Sequence, residues 1–208
     1  MSEYVITIAR GFGSGGKTIG KMLAERLDID YFDNDLLRLA SEESGINISL
    51  FGKADEKVKA SLFKKYNRSY GEKIISPDST EFISDDNLFN YQAKIIRDLA
   101  EKENCIIIGR CGDYVLRNDP KVIRVFVCAD EDACINKVVE LYGLDADDAK
   151  KKIDKIDKSR AAYYKYYTGK EWNDPVNYDL CINTTSVGFD GAVDIIMDYM
   201  KRKGIKVD

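Results

Sequence analysis

Histidine is absent from the 208 residues, and with it goes the usual neutral-pH base and the commonest ligand of catalytic zinc. Ser-His-Asp and Cys-His mechanisms are therefore excluded. Cysteine is sparse and unpatterned: Cys105, Cys111, Cys128, Cys134 and Cys181 make an odd count of five without a C-x-x-C pair. Three of them sit in or beside apolar runs and read as buried thiols of a reducing compartment. No apolar run approaches the roughly 20 residues that span a bilayer, and the N-terminus lacks the basic-then-apolar layout of a secretory signal. The expectation is a cytoplasmic protein with no membrane partner. Proline occurs only three times, which leaves no evident interdomain linker. Positive charge is in deficit, with 32 Lys and Arg against 36 Asp and Glu for a net charge of −4. No global field draws in a nucleic-acid backbone, so any anion site must be local. What remains, 44% hydrophobic and 33% charged, is the composition of one soluble globular domain.

The pattern alternates strands and helices. Tyr4 to Ala9 is β-branched and mostly apolar, a strand buried on both faces. Ile19, Met22, Leu23 and Leu27 then recur at helical spacing. A second extended piece, Asp30-Tyr31-Phe32, ends at Asp33-Asn34-Asp35, and a helical pattern resumes through Leu36 to Ala40. From about Ser41 to Asn87 the chain is polar and weakly periodic, with one helix expected around Asp55 to Tyr66. Leu88 to Leu99 predicts a helix leading into the apolar run Cys105 to Ile108; Val122 to Cys128 and Tyr178 to Ile182 supply two further strands. Helices are expected over about 130–142, 145–167 and 188–202. Five strands alternating with helices predict an α/β fold: three layers, α/β/α, around a five-stranded parallel sheet, with ligands beyond the carboxyl ends of the strands. The core would comprise about 1–40, 88–142 and 175–208. The polar stretches 41–87 and 143–174 would project from the ligand side.

Gly11-Phe12-Gly13-Ser14-Gly15-Gly16-Lys17-Thr18 matches G-x-x-x-x-G-K-[ST] without a mismatch, between a strand and a helix as that motif requires. Backbone N–H groups of Gly11, Gly13, Ser14, Gly15 and Gly16 can turn inward at an anion, Lys17 can reach the β- and γ-phosphates, and Thr18 can offer its hydroxyl to Mg²⁺. This points to a three-layer sheet of the P-loop NTPase type, with ATP and Mg²⁺ as cofactors. A dinucleotide reading fits less well, since its fingerprint has no Lys-Thr. A switch GTPase would carry N-K-x-D, and Asn136-Lys137-Val138-Val139 lacks the Asp. Size and insertions favour a small-molecule kinase, whose chemistry rests on positioning and charge neutralisation and needs no histidine. Arg110, at the end of the third strand in chain order, could clamp an acceptor's anionic group bidentately, with Asp113 beside it on the acceptor side.

Ile8 to Gly16, Tyr31-Phe32-Asp33, Ile108 to Tyr114 and Asp157-Lys158-Ser159-Arg160-Ala161 together resemble the cytidylate kinase-like proteins, within the nucleoside monophosphate kinase group. The resemblance implies a monophosphate-binding insertion (about 41–87), a lid (about 143–174), and CMP or dCMP as acceptor. It implies that Arg160 is the lid arginine that stabilises the transferred phosphoryl, with Lys155 and Lys158 secondary. It also implies that Asp33 lies near the substrate, where a carboxylate could order Mg²⁺-bound water or accept a hydroxyl proton. Two alternatives stand beside it. Asp33-Asn34-Asp35 resembles the D-x-D of shikimate and gluconate kinases, which makes Asp35 a substrate-binding candidate. A lid with few arginines suits a nucleotide sensor without turnover. Tyr163, Tyr164, Tyr166 and Tyr167 are read as a packing or hinge cluster. The expected partners are a nucleoside triphosphate and a small acceptor, with no nucleic acid, for a monomer or homodimer.

Overall fold

Strand β1 (Val5–Arg10) is apolar on both sides because both of its faces are covered. Ile6 and Ile8 pack on one face of the sheet and Val5 on the other, the period-2 alternation of a strand in a three-layer fold. The computed structural model describes residues 3–56 and 73–206. The helix expected from Asp55 to Tyr66 lies almost wholly outside the described residues.

Four further strands, β2 (Asp30–Phe32), β3 (Cys105–Ile108), β4 (Val122–Cys128) and β5 (Leu180–Asn183), complete a five-stranded sheet in the order β2-β3-β1-β4-β5. All four pairings are parallel, with Val5 in register with Cys105 and with Val122. Every strand therefore ends on the same side, and β1, flanked by β3 and β4, sits where the order reverses, the place where such sheets open a crevice.

One face is covered by helices α1 (Gly16–Leu27) and α8 (Thr184–Arg202), through Ile19, Leu23, Ile196 and Met200. The other is covered by α2 (Asp35–Ser44), α3 (Ile48–Glu56) and α4 (Asp85–Lys102), through Leu36, Phe51, Leu88 and Ile96. The expected three-layer α/β/α fold is what is observed. Phe51, Ile74 and Phe82, from the stretch read as projecting, pack into this second core. The short helix α5 (Gly112–Val115) follows β3, while α6 (Glu131–Tyr142) and α7 (Ala146–Thr168) follow β4.

Two local differences have plain causes. Helix α8 begins at Thr184 rather than near Gly188, because the Asn183 side chain accepts from Thr185 N–H and caps a first turn that breaks at Gly188 (φ 69°, ψ 179°). Helix α4 starts at Asp85, where Ser84 caps Asn87 N–H and two aspartates face the positive end of the helix dipole. The tyrosines of α7 pack: Tyr163, Tyr164 and Tyr167 are buried with Phe89 and Cys111, and Phe89 stacks on Tyr167 at 4.0 Å. That third cluster joins the carboxyl half of α7 to α4. Among the described residues, no helix is long and apolar enough to cross a membrane.

Candidate active site

After Arg10 the chain turns through Gly11 to Gly15 and enters α1 at Gly16. Gly15 has φ 83°, a left-handed conformation that disfavours a side chain, and a Cβ there would run into the Phe189 ring. Ser14 Oγ donates to Gly11 O (2.9 Å) and Val127 O (3.1 Å), and Thr184 Oγ1 donates to Ser14 O (2.9 Å). The Ser14 hydroxyl is thus committed to holding the loop against β4 and α8. The first helical bond runs from Ile19 N–H to Gly15 O. The N–H groups of Gly15, Gly16, Lys17 and Thr18 precede it and stand outside the helical ladder, at the positive end of the dipole.

These residues line a cavity of about 370 Å³ with Asp33, Lys137, Tyr142 and Arg160. Lys17 Nζ lies 2.5 Å from Asp33 Oδ2. Asp33, at the end of β2, is only 6% exposed, and its other oxygen is 3.7 Å from Arg10 Nη2. It does not cap α2, whose N-cap residue Asn34 makes no side-chain capping bond either. Asp35 lies in the first turn of α2, exposed beside Arg38, and is not among the residues lining either this cavity or its neighbour. Asp33 and Asp35 are therefore not brought together at one site.

A second cavity, of about 220 Å³, shares Arg10 and Arg160 with the first and is also lined by Arg110, Asp113, Tyr163 and Trp172. The turn that shapes it is strained: Gly109, Arg110 and Cys111 all have positive φ (69°, 57° and 53°), which costs a residue with a side chain about 1–2 kcal/mol. Gly112 N–H to Gly109 O and Val115 N–H to Cys111 O hold it. A side chain at Gly109 would occupy the place of the Arg10 guanidinium. Arg10, Arg110 and Arg160 thus line one small space. Burial, then the nearby Arg160, lowers the Arg10 pKa to about 10, and burial also lowers that of Arg160. Such crowding of like charge in a desolvated place is what an anionic ligand relieves.

The carboxylate expected to bind substrate there, Asp113, is 6% exposed and accepts from Tyr164 Oη at 2.6 Å. Burial raises its pKa to about 6 against the Tyr164 hydrogen bond. Lys155 and Lys158 are exposed on the outer side of α7, whereas Arg160 turns inward and donates to Arg10 O (3.0 Å) and Asp157 Oδ1 (3.1 Å). Three further contributors have no role that the sequence alone assigns. Arg10 adjoins the glycine loop. Asp157 stands one helical turn before Arg160, a spacing that signals a shared face. Trp172 reaches the cavity from beyond the end of α7 and packs edge-on against Phe126. Among the described residues, no group of three or more acidic or cysteine side chains is placed to hold a metal without help from a ligand.

A likeness to solved structures supports the architecture. The chain superposes on shikimate kinase from Bacteroides thetaiotaomicron with a TM-score of 0.53 at 12% identity, covering 95% of this chain and 98% of that one. A crystal structure of an uncharacterized protein from Eubacterium ventriosum is more similar, with a TM-score of 0.70 at 28% identity over 95% of this chain and 98% of that one. In sequence, the chain is 26% identical to the cytidylate kinase of Archaeoglobus fulgidus over 98% of both proteins. With the model of the cytidylate kinase-like family matching residues 5–186, the chain belongs to the cytidylate kinase-like family.

Proposed function

We propose that the protein transfers the γ-phosphoryl of ATP to a nucleoside monophosphate, CMP or dCMP. The observation that carries this reading is the pair of cavities meeting at Arg10 and Arg160, one faced by the phosphate loop and the other by three arginines. The first would hold the triphosphate on the N–H groups of Gly15 to Thr18, with Lys17 against the β- and γ-phosphates. Thr18 and Asp33 both line it and would offer the hard oxygens that Mg²⁺ prefers, the remaining positions belonging to phosphate and water. Bound there, Mg²⁺ would supply charge neutralisation at the transferring group. The second cavity would hold the acceptor, its phosphate on Arg110 and Arg10 and its ring among Tyr163, Tyr164 and Trp172. Arg160 lies between the two and would meet the phosphoryl in transit. Segments 41–87 and 143–174 are the acceptor-binding insertion and the lid in this reading.

The separation of Asp35 from the cavities speaks against a hydroxy-acid acceptor held by an Asp33-Asp35 pair. The test is ADP release from Mg-ATP across CMP, dCMP, UMP, AMP, shikimate and gluconate, with Lys17→Ala as control. Release that depends on CMP or dCMP and is lost in the variant is the expected result. Turnover on shikimate or gluconate alone overturns the acceptor, and nucleotide binding without any turnover overturns the kinase in favour of a sensor.

A further inference from the structure

Helix α7 touches the phosphate loop and the strand end that leads into it, each at one backbone group. Phe12 N–H donates to the Asp157 carboxylate at 2.9 and 3.1 Å, and Arg160 Nη1 donates to Arg10 O at 3.0 Å. The two side chains are joined to each other at 3.1 Å, so carboxylate, guanidinium and the backbone on either side of Gly11 form a closed ring of hydrogen bonds. The Arg160 guanidinium also lies 5.5 Å from the centre of the Phe12 ring. Both side chains are half-buried. Each bond of the ring has a charged partner in a partly desolvated place, the setting in which such bonds are strongest.

The arrangement has a directional consequence. Arg160 borders both cavities, and its orientation is fixed by groups that do not belong to either ligand. One of those groups is Asp157, one turn away on the same helix. The other, Arg10 O, is the last carbonyl of β1, the strand from which the loop departs. A guanidinium so held meets developing charge without first reorganising, which is what gives electrostatic stabilisation its effect.

We propose that Asp157 is a positioning residue for phosphoryl transfer: it seats the lid helix on the entry to the phosphate loop and holds Arg160 at the junction of the two cavities. The proposal rests on the kinase reading above for its kinetic consequence, but the clasp itself is measurable without turnover.

Two measurements on the full chain test it, with Asp157→Ala and Asp157→Asn. The first is residue-resolved hydrogen exchange. In Asp157→Ala the Phe12 amide is expected to exchange on the order of 10-fold faster, while Ile6 and Ile8 in β1 keep their protection and report an intact fold. Asp157→Asn, which retains an acceptor for Phe12 N–H, is expected to restore much of the protection. The second is steady-state kinetics with ATP and CMP. Asp157→Ala is expected to lower kcat on the order of 10-fold or more with the KM for ATP within a few-fold. Combining it with Arg160→Ala should add little to Arg160→Ala alone, because one residue acts through the other.

Unchanged Phe12 exchange in Asp157→Ala overturns the clasp whatever the activity. Faster exchange with undiminished kcat, or losses that multiply in the double variant, overturns the positioning role. If the wild-type protein turns over no acceptor, the kinase reading fails by itself; the exchange at Phe12 then decides whether Asp157 seats the helix.

Discussion

The two cavities are built from different materials. The phosphate side is made of backbone: N–H groups of one continuous turn, Gly15 to Thr18, whose geometry follows from glycines at positive φ and from the start of a helix. The acceptor side is made of side chains that meet from distant parts of the chain, Arg10 from β1, Arg110 and Asp113 from the turn after β3, and Arg160, Tyr163 and Trp172 from α7 and beyond. A backbone site binds any group of the right charge and curvature. A side-chain site can be retuned one residue at a time, so in the proposed reading the first serves a common phosphoryl donor while the second sets the acceptor.

The largest effect should come from the phosphate side. Lys17→Ala removes the lysine that, in the proposed reading, reaches from the loop to the phosphates, and turnover with every acceptor should fall by about 10³-fold or more. Because Lys17 is exposed and its ion-pair partner Asp33 keeps Arg10 nearby, circular dichroism should be unchanged. Calorimetry checks the cause: ATP affinity equal to wild type would break the distinction between the two sides at its first point.

Arg110 probes the other side. Arg110→Ala should lower kcat/KM for the acceptor by about 10- to 100-fold, through a raised acceptor KM, with the KM for ATP nearly unchanged. Arg110→Lys should recover only part, since an ammonium lacks the planar fork that takes two oxygens at once. Equal losses for donor and acceptor would mean that the cavities act as one site.

The same contrast explains which parts of the molecule are legible in the amino-acid sequence. The phosphate loop is eight adjacent residues between a strand and a helix, and a local pattern suffices to find a local object. The five strands, helices α1, α2, α4, α6, α7 and α8 and the parallel sheet are legible for the same reason, as runs and periodicities. Strand order is not, because β1 pairs with β3 and β4 about a hundred residues away. Arg10 and Asp157 lie within the family's motifs, yet their roles stay hidden there, since the Phe12 to Asp157 bond spans 145 residues. Helix α3, the one-turn helix α5 and the first turn of α8 escape detection where weak periodicity, shortness and glycines obscure helical turns. Asp35 looks like half of a D-x-D pair, yet a neighbour two positions away on entering a helix points elsewhere, and the pair does not form around the cavity.

A smaller effect separates the two sides by pH. Peptide N–H groups do not titrate near neutrality, whereas the acceptor cavity includes Asp113, whose carboxyl burial raises from 3.8 to about 6. Below about 4 the group is protonated in the folded and unfolded chains alike. Between about 4 and 6 the unfolded chain has lost its proton and the folded one has kept it, so this group's contribution to stability is lost as pH rises and is flat above 6. The gap corresponds to at most about 3 kcal/mol. Urea unfolding at pH 4.5 and 6.5 should therefore show wild type gaining about 1–2 kcal/mol on acidification relative to Asp113→Asn, which keeps an acceptor for Tyr164 but cannot titrate. Asp179, held low by Arg124, pulls the opposite way in both proteins and cancels in the difference. Parallel stability changes in the two proteins would mean that Asp113 is ionised in the fold throughout. The three arginines would then share the cavity with a permanent negative charge, and an acceptor bearing less negative charge than a phosphate monoester would suit it better.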